Sequence, residues 1–544
     1  MKKRISVFFL SFLLLVQISV GQTTTAVSVS SDDRRIAEGV TAKQLRDYLY
    51  FVASDEMEGR DTPSRGLDTT AKFIAMNLSR WGFKPAGDDG TFFQKMALTS
   101  ETTDPASNAL TVAGRSFTYG DDFIRVTGDQ TVDGPLVFAR DGWLVRSKNV
   151  DAYQGVDVAG KIIVLYGRGF PRPGAATSLP AGVAETDLTG VNGVDWADPV
   201  TYARSKGARG LLIIASEQIE ANWAQLRTFI GRGNLFPDRL RETPLAGNLP
   251  TFMITAKAAA DLFAGTAGDR NSTVSFNLDK TATIKAAAIT ETKWTQNVVA
   301  LWEGSDPVLK NEMVAIGAHY DHVGVHADFP GTDKIFNGAD DDGSGTVAVL
   351  SIAEALAKTP KHPKRSVLFV WHCGEEKGLW GSQYFNKFPT IDIKNVVAQL
   401  NIDMIGRSKK ADDTNPKNKD LSGENAIYVI GSEMMSSTLG SIVKGSNSGY
   451  LNLTYDYRYD DPNDPERFFF RSDHFNYALN GIPITFWFDG VHEDYHKPGD
   501  EPQKIDYDKM ERVARTIMVT LLNLTELKQR PAVDKDLPPE LKRH

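Results

Sequence analysis

The chain has 544 residues, more than one ordinary hydrophobic core accommodates, so we expect at least two domains. Apolar residues make up 41% and charged residues 24%, which is typical of a globular protein and argues against extensive disorder. The formal net charge of -8 comes with no sustained run of lysine and arginine, so nucleic acid is not an expected partner.

The N-terminus has the pattern of a secretory signal peptide. Basic residues at positions 2–4 precede an apolar run over residues 5–20, and small residues lead up to Gln22. The run is interrupted by polar residues and is shorter than a comfortable membrane span, so we expect cleavage close to Gln22. Residues 1–21 are therefore predicted to direct export to a periplasmic or extracellular location, with no membrane anchor in the mature chain.

The single cysteine, Cys373, excludes an intramolecular disulfide bond. It lies in an apolar run and no cysteine–histidine pairing pattern accompanies it. We therefore predict a small buried packing residue rather than a nucleophile.

Residues 22–132 are predicted to form the N-terminal part of the main domain. Apolar residues at helical spacing predict two helices between residues 41 and 80, and a strand-rich stretch covers residues 109–126. From residue 133 to residue 285 the pattern changes, because strand-like runs such as 161–166 and 210–215 lie among loops rich in glycine and proline. This part is predicted to be an inserted, β-rich domain.

Residues 286–527 alternate between strand and helix patterns, which predicts an α/β sheet. In such sheets, catalytic groups collect at the carboxyl ends of the strands. Residues 528–544 carry prolines among charges and are predicted to form a flexible tail. The predicted strands cover residues 313–317, 366–371, 396–402 and 482–488, and the predicted helices cover residues 345–358 and 507–527.

Five short segments place carboxylates and histidines at or beyond the ends of these predicted strands. A metal pair with mixed nitrogen and oxygen ligands needs a shared carboxylate, terminal carboxylates and imidazoles, and a nearby acid or base. Together the segments offer a candidate for every role and predict a two-metal hydrolase centre. The segments are Gly-Ala-His-Tyr-Asp-His at 317–322, Gly-Ala-Asp-Asp-Asp-Gly-Ser-Gly at 338–345, Gly-Glu-Glu-Lys-Gly at 374–378, Asn-Ile-Asp-Met at 401–404 and Asp-Tyr-His-Lys-Pro-Gly-Asp at 494–500.

Each segment also has an ordinary structural interpretation. The acidic run at 340–342 would by itself be a solvated turn or a helix N-cap. The spacing of the other four segments favours metal binding instead.

These motifs resemble the co-catalytic zinc aminopeptidase family, which also contains the glutamate carboxypeptidases and the transferrin receptor ectodomain. The segment 338–345, followed by 374–382, carries most of the resemblance. Segments at 158–164, 203–213 and 248–254 resemble the protease-associated domain. The resemblance implies a mixed-sheet α/β zinc exopeptidase domain of the phosphorylase/hydrolase-like kind, with an inserted β-rich protease-associated domain.

The resemblance also implies two zinc ions per chain and their ligands. Asp340 would bridge the ions, His319 and Asp403 would complete one site, and Glu376 and His496 would complete the other. The Asp340–Asp341 peptide bond resembles one that is cis in relatives, so the resemblance implies a cis bond there.

Further roles follow from the same resemblance. Glu375 would be the general base and acid, and Tyr495 would support the oxyanion. Asp321 would orient the imidazole of His319. The remaining histidines near the motifs match no ligand position, and they are His322, His326, His474 and His492.

The leading hypothesis is therefore an exported zinc aminopeptidase that hydrolyses N-terminal residues from peptides. A carboxypeptidase or dipeptidase for acidic substrates would need a basic pocket, to which Arg471 or Arg458 could contribute. A glutaminyl cyclase would use a single zinc ion, and a receptor-like binding protein would need no catalytic residues. The sequence does not specify the oligomeric state, the preferred residue or the role of the inserted domain.

Overall fold

The computed structural model of the protein describes residues 27–167, 179–231, 233–241, 248–266, 268–360, 362–538 and 541. The predicted signal peptide lies outside the described residues. Among the described helices, none is long and apolar enough to cross a membrane.

The α-helices of the described residues follow one another along the whole chain. In chain order they are α1 Ser31–Ala37, α2 Ala42–Val52, α3 Arg65–Arg80, α4 Pro199–Ser205, α5 Glu217–Ala221, α6 Trp223–Gly231, α7 Ala256–Phe263, α8 Gly345–Ala357, α9 Trp380–Lys387, α10 Ser432–Met435, α11 Ser437–Ser448, α12 His474–Leu479 and α13 Tyr507–Glu526.

The β-strands of the described residues are likewise numbered in chain order. They are β1 Lys84–Pro85, β2 Phe93–Thr102, β3 Ala109–Val112, β4 Arg115–Phe117, β5 Phe123–Thr127, β6 Thr131–Phe138, β7 Leu144–Val145, β8 Val150–Asp151, β9 Ile162–Tyr166, β10 Trp196–Ala197, β11 Gly210–Ile214, β12 Asn234–Pro237, β13 Thr251–Ile254, β14 Phe276–Lys285, β15 Ile289–Trp302, β16 Met313–His319, β17 Gly324–Val325, β18 Ile335–Phe336, β19 Ser366–His372, β20 Val396–Ile402, β21 Ala426–Ile430, β22 Thr454–Asp456 and β23 Ile484–Phe488.

The chain divides into two compact units. Of the described residues, those up to Gln94 and those from Gln296 onward form the first unit, and those from Lys95 to Thr295 form the second. The second unit is larger than the predicted insert of residues 133–285. The reason is that β3 pairs with β14 and β5 pairs with β13, so the strands of residues 109–127 belong to the same sheet as the insert.

The first unit is built on a mixed sheet whose central strands are parallel. The strand order is β15-β19-β16-β20-β23-β21-β22, with β19, β16, β20 and β23 all parallel to one another. Every residue of β16, β19, β20 and β23 is buried, because helices cover both faces of a parallel sheet. The predicted α/β architecture of this unit is confirmed.

The helices of the first unit form layers on the two faces of its sheet. From β16 the chain passes through α8 to β19, and from β19 it passes through α9 to β20 on the other side of β16. Crossovers between parallel strands are right-handed as a rule, so two crossovers that run in opposite directions place α8 and α9 on opposite faces. Helices α2, α8 and α13 pack together on one face, and α9 packs with α12 on the other.

The second unit contains an eight-stranded sheet in the order β4-β3-β14-β6-β9-β11-β13-β5. Strands β6, β9, β11 and β13 are parallel, and the outer strands pair antiparallel. Its core is apolar and includes Phe123, Phe138 and Phe252. The unit is rich in strands, as predicted, while its kinship to the protease-associated domain stays a prediction.

The described part of the predicted flexible tail packs against the first unit. The guanidinium of Arg530 lies 2.8 Å from a carboxylate oxygen of Glu312, and Asp534 accepts a hydrogen bond of 2.8 Å from the backbone N–H of Ser437. Leu541 is buried in the apolar core of the unit. These residues are therefore anchored, although their proline-rich sequence predicts a flexible segment.

Candidate metal centre

Four neighbouring parallel strands end at the same edge of the first-unit sheet, and an acid or a histidine stands at each end. His319 is the last residue of β16, and Asp403 comes directly after β20. Glu375 and Glu376 follow β19, and His496 lies in the loop after β23. The connection from β16 leads to β19 on one side, and the next connection leads from β19 to β20 on the other side of β16. The edge where successive connections run in opposite directions is the usual position of a binding site in such sheets. The predicted placement at strand ends is confirmed.

The carboxylate of Asp341 lies between two imidazoles. Its Oδ1 is 3.3 Å from Nε2 of His319, and its Oδ2 is 3.0 Å from Nε2 of His496. Asp341 is 3% exposed, so both contacts are shielded from water. One carboxylate thus faces both halves of the cluster.

The remaining carboxylates divide between the two imidazoles. Nε2 of His319 is 3.7 Å from Oδ1 of Asp403 and 3.9 Å from Oε2 of Glu375. Nε2 of His496 is 3.0 Å from Oε2 of Glu376. The adjacent glutamates therefore face different halves of the cluster.

The prediction that Asp340 is the shared carboxylate is wrong by one residue. The side chain of Asp340 faces away from the cluster: Oδ1 accepts a 2.7 Å hydrogen bond from the N–H of Gly406, and Oδ2 is 3.3 Å from Nε2 of His492. The cis peptide bond joins Asp341 to Asp342, not Asp340 to Asp341. Three consecutive aspartates allow the motif to be read in more than one register, and only the folded loop decides which carboxylate points into the cluster.

The loop that carries Asp341 is held by its acidic neighbours. Oδ1 of Asp342 accepts hydrogen bonds of 2.9 and 3.1 Å from the N–H groups of Gly345 and Met404. Oδ2 of Asp500 accepts a 3.1 Å hydrogen bond from the N–H of Asp341 and another from the preceding N–H. These bonds join the loop to the segments after β20 and β23, so the loop cannot shift independently of the other strand ends.

The side chain of Arg60 connects the same loop to the end of β16 through hydrogen bonds. The guanidinium is fully buried and donates 2.9 Å hydrogen bonds to the carbonyl oxygens of Tyr320 and Gly338, with further bonds of 2.7 Å to those of Val52 and Asn337. Burial lowers the pKa of Arg60 to about 10, with nearby aspartates opposing the shift, so the side chain stays charged at neutral pH. One side chain therefore fixes the relative position of two metal-site loops.

The glutamate pair lies in a tight turn that glycine makes possible. Gly374 and Gly378 have φ angles of +68° and +100°, where residues with a Cβ are strained. The N–H of Glu375 donates a 3.2 Å hydrogen bond to Oδ1 of Asp321. These glycines therefore let the chain turn sharply at the glutamate pair.

Asp321 also contacts the imidazole of His319. Nδ1 of His319 lies 3.1 Å from the backbone carbonyl of Asp321 and 3.6 Å from its Oδ1. Both contacts favour a proton on Nδ1 and leave the Nε2 lone pair facing the cluster. The orienting role that the family resemblance implies for the Asp321 carboxylate stays a prediction.

The electrostatics of the cluster favour a cation. Burial by itself would lower the pKa of His496, but Asp341 and Glu376 raise it to about 10. Burial raises the pKa of Glu375 well above its ordinary value, and the carboxylates of Asp403 and Glu376 add to the shift. Four carboxylates in so small a volume therefore need positive charge to remain ionised together.

The residues fit a pair of zinc ions. Within the described residues, Oδ2 of Asp341 and Nε2 of His496 are buried and make no aligned hydrogen bond, although they lie 3.0 Å apart. Buried polar atoms that converge without hydrogen bonds are typical of metal ligands. A set that mixes imidazole nitrogen with carboxylate oxygen suits zinc better than calcium or magnesium.

A cleft opens directly beside the cluster. Three carboxylates of the cluster line one wall, and mostly apolar side chains line the rest. Tyr495 also lines the cavity, and its ring stacks on that of His496 at 4.0 Å. The apolar and aromatic lining consists of Met404, Phe468, Phe486, Phe488 and Val491, with Arg471 and Ser472 beside it.

The structure thus gathers six of the seven predicted site residues around one point and adds two that the motifs did not assign. The six are His319, Glu375, Glu376, Asp403, Tyr495 and His496; the added residues are Asp341 and His322. The signal for His322 was its position inside the segment 317–322, and the signal for Asp341 was its central place in the aspartate run.

Residues 297–521 match the family model described as Peptidase family M28. The chain carries a peptidase family M28 domain. The match confirms the family resemblance predicted from the motifs, and the M28 domain contains every metal-cluster residue from His319 to His496.

Individual relatives of the M28 domain are distant. The leupeptin-inactivating enzyme 1 of Streptomyces exfoliatus is 36% identical over 111 residues, which are 20% of this chain and 22% of that protein. A probable leucine aminopeptidase 2 of Aspergillus oryzae is 31% identical over 208 residues, 37% of this chain and 35% of that protein. The chain therefore spans well under half the length of the curated relatives it matches.

Among solved structures, an aminopeptidase from Aneurinibacillus sp. strain AM-1 aligns over 93% of this chain and 99% of its own, with 18% identity and a TM-score of 0.47.

Proposed function

We propose that the protein is a zinc-dependent aminopeptidase that removes N-terminal residues from peptides with two metal ions. The observation that supports this most is the position of Asp341, whose two carboxylate oxygens face His319 and His496 at 3.3 and 3.0 Å. A carboxylate so placed can bridge two ions, whereas a single-metal site would need only one of its oxygens. The names of the relatives, which include leucine aminopeptidases, agree with this function.

The ligand assignment follows from the two halves of the cluster. His319 and Asp403 would hold one ion, Glu376 and His496 the other, and Asp341 both. When bound, such a pair of ions lowers the pKa of a water molecule and polarises the scissile carbonyl group.

Glu375 is the residue that moves the proton. It lines the cavity, its side chain is 12% exposed, and it lies at the edge of the cluster at 3.9 Å from His319. Its carboxylate accepts the proton of the attacking water and passes it to the nitrogen of the leaving amine. Since burial raises the pKa of Glu375, positive charge in the cluster is needed to keep it a base at neutral pH.

The charge of the cavity favours a free N-terminus over a free C-terminus. Asp341, Glu375 and Asp403 line the wall next to the cluster, so an α-ammonium group is attracted there and a terminal carboxylate is repelled. The apolar walls suit an uncharged, bulky N-terminal side chain. Tyr495 stands at the same wall, where its hydroxyl group would stabilise negative charge on the carbonyl oxygen during hydrolysis.

A carboxypeptidase or dipeptidase for acidic substrates is the second candidate, and one observation bears on it. Among the described residues that line the cavity, Arg471 is the only cation, and its guanidinium stacks over the ring of Phe468 at 4.7 Å. Arg458, the other predicted contributor, pairs instead with Asp456 at 2.7 Å. One exposed guanidinium against three carboxylates does not make a basic pocket, so the aminopeptidase is the better-supported function.

Two further alternatives make different demands on the site. A glutaminyl cyclase would bind a single zinc ion, and a receptor-like protein would not need Glu375. The two-sided contacts of Asp341 and the exposed edge of Glu375 favour a hydrolase over both.

The test is a substrate panel with the purified protein and added zinc. Leucyl and phenylalanyl p-nitroanilides should be hydrolysed, while N-acetyl-leucyl p-nitroanilide and peptides with a blocked N-terminus should not. Peptides with N-terminal glutamine should be shortened rather than cyclised. Hydrolysis of only the N-blocked peptides, with release of the C-terminal residue, would instead identify a carboxypeptidase.

We also propose that the protein is exported, on the strength of the signal-peptide pattern in residues 1–21.

A further inference from the structure

His322 is a fully buried imidazole that the proposed mechanism does not use. It follows the ligand His319 by three residues, and its backbone N–H donates to the carbonyl oxygen of Arg60 at 3.3 Å. Neither of its ring nitrogens makes an aligned hydrogen bond within the described residues. A buried imidazole without such partners costs free energy, so its position needs a physical reason.

The position of the ring is built into the neighbouring backbone. Gly338 has a φ angle of +55°, and a Cβ atom there would lie 2.4 Å from Cγ of His322. Any residue other than glycine at 338 would therefore collide with the imidazole. The loop that carries Asp341 thus leaves the space that the His322 ring occupies.

The ring points at a metal-ligand carboxylate. Nδ1 of His322 lies 2.8 Å from Oε1 of Glu376, and the other oxygen of that carboxylate lies 3.0 Å from Nε2 of His496. The Glu376 carboxylate is therefore held between two imidazoles, one on each oxygen.

The two imidazoles differ in a way that assigns their roles. Nε2 of His496 is equally close, at 3.0 Å, to Glu376 and to Asp341, as expected for ligands around one ion. Nδ1 of His322 is 2.8 Å from Oε1 of Glu376 but 3.8 Å from Oδ2 of Asp341. It therefore lies within hydrogen-bonding distance of the Glu376 carboxylate and beyond that distance from the Asp341 carboxylate.

We propose that His322 is a positioning residue of the second metal site, which donates its Nδ1–H to Oε1 of Glu376. A small rotation of either side chain aligns the donor with the acceptor. The bond occupies Oε1 and turns Oε2 toward His496, so that Glu376 offers one oxygen to the ion. This inference rests on the proposed two-metal function, and it concerns only how tightly the second ion is held.

The test compares three substitutions at position 322. The amide nitrogen of His322→Asn falls near the position of Nδ1, whereas that of His322→Gln falls near Nε2 and His322→Ala has no donor. We expect the affinity for the second zinc ion, measured by competition with a chromophoric chelator, to fall by roughly 10- to 100-fold in His322→Ala and His322→Gln. His322→Asn should recover most of that loss.

Two further readouts separate this role from the alternatives. If His322 were a metal ligand, His322→Asn would be as damaging as His322→Ala, and the visible absorption of cobalt bound at the second site would change in all three variants. That result, or wild-type zinc affinity in all three variants, would overturn the proposal. Equal losses of affinity in the Asn and Gln variants, accompanied by equal falls in the melting temperature of the metal-free protein, would indicate a merely structural role and also overturn it.

The zinc titration of the wild-type protein tests the two-metal site separately from the role of His322. Wild-type protein that binds fewer than two zinc ions would contradict the two-metal site itself. If the wild-type protein binds two ions, the outcome at position 322 is judged on its own.

Discussion

Asp340, Asp341 and Asp342 are chemically identical side chains in a row, and the fold gives each of them different partners. Asp340 accepts from Gly406, Asp341 lies between two imidazoles, and Asp342 accepts from the start of α8. The residue types and the spacing of the five segments were enough to predict the kind of centre. The choice among three adjacent aspartates depends on backbone direction inside the loop, and the sequence does not encode that direction in a readable pattern.

Glu375 and Glu376 give the clearest contrast between proton transfer and metal binding. Replacing Glu375 with Gln keeps the shape of the side chain but removes the base, so kcat should fall by about two to four orders of magnitude at normal zinc content. Glu376→Gln is the matched control, and it should lower zinc occupancy as well as kcat because a neutral amide is a poorer zinc ligand.

Kinetics at saturating substrate and elemental analysis of the same samples would check both variants. Near-normal turnover in Glu375→Gln would rule out its role in proton transfer. Loss of zinc in Glu375→Gln with full occupancy in Glu376→Gln would exchange the two roles.

At the scale of single elements, the turn that contains Arg60 links α2 to the loops of the metal centre. Replacing Arg60 with Met removes four hydrogen bonds from a buried cation and leaves carbonyl oxygens unpaired. We expect the free energy of unfolding to fall by about 2–5 kcal/mol. Chemical denaturation monitored by circular dichroism measures the change.

Arg65 offers a matched control for that variant. Its side chain is 80% exposed and pairs with Glu58 on the surface, so Arg65→Met should change stability by less than about 1 kcal/mol. Equal effects of the two substitutions would show that the buried position of Arg60 has no special importance.

Helix α12 begins with a histidine that makes stability depend on pH. His474 is fully buried, stacks on Phe486 at 4.6 Å and contacts the carbonyl oxygen of Phe469 through Nε2 at 2.8 Å. Burial lowers the pKa of His474 to about 3. Above pH 6.5 the ring is neutral in both the folded and the unfolded chain, and below it only the unfolded chain takes up the proton. Acid therefore favours unfolding.

The contribution of His474 should thus be lost as the pH falls from about 6.5 to about 3, at up to about 1.4 kcal/mol per pH unit. His474→Gln cannot titrate, so its stability should fall less steeply over this window than that of the wild-type protein. His326→Gln is the control, because that ring is exposed and its replacement leaves the buried imidazole of His474 in place. Parallel pH profiles of the wild type and His474→Gln would contradict the assignment.

At the scale of the whole molecule, the sequence pattern predicts the strands best where every residue of a strand is buried. The continuous apolar runs of β16, β19 and β20 were recognised to within two residues, and the carboxyl ends of these strands gave the site. The change of pattern predicts that the inserted domain starts at residue 133, whereas the second unit starts at residue 95. The strands of residues 109–127 pair with strands far along the chain, and no local pattern reveals such pairing.

The predicted signal peptide implies that its removal leaves a mature chain that begins close to Gln22. N-terminal sequencing of material secreted by an expressing host should begin close to Gln22. An intact N-terminus with basic residues 2–4 would show that the segment is not removed.

We propose that Asp341, and not Asp340, is the carboxylate that two metal ions would share. Elemental analysis of zinc-saturated protein, freed of excess metal, should find two zinc ions per chain in the wild type and near two in Asp340→Ala, whose side chain only supports the loop. Asp341→Ala removes the shared ligand, so both ions should bind weakly and fewer than one should remain. One ion or none in the wild type, or a normal zinc content in Asp341→Ala together with loss of both ions in Asp340→Ala, would contradict the role proposed for Asp341.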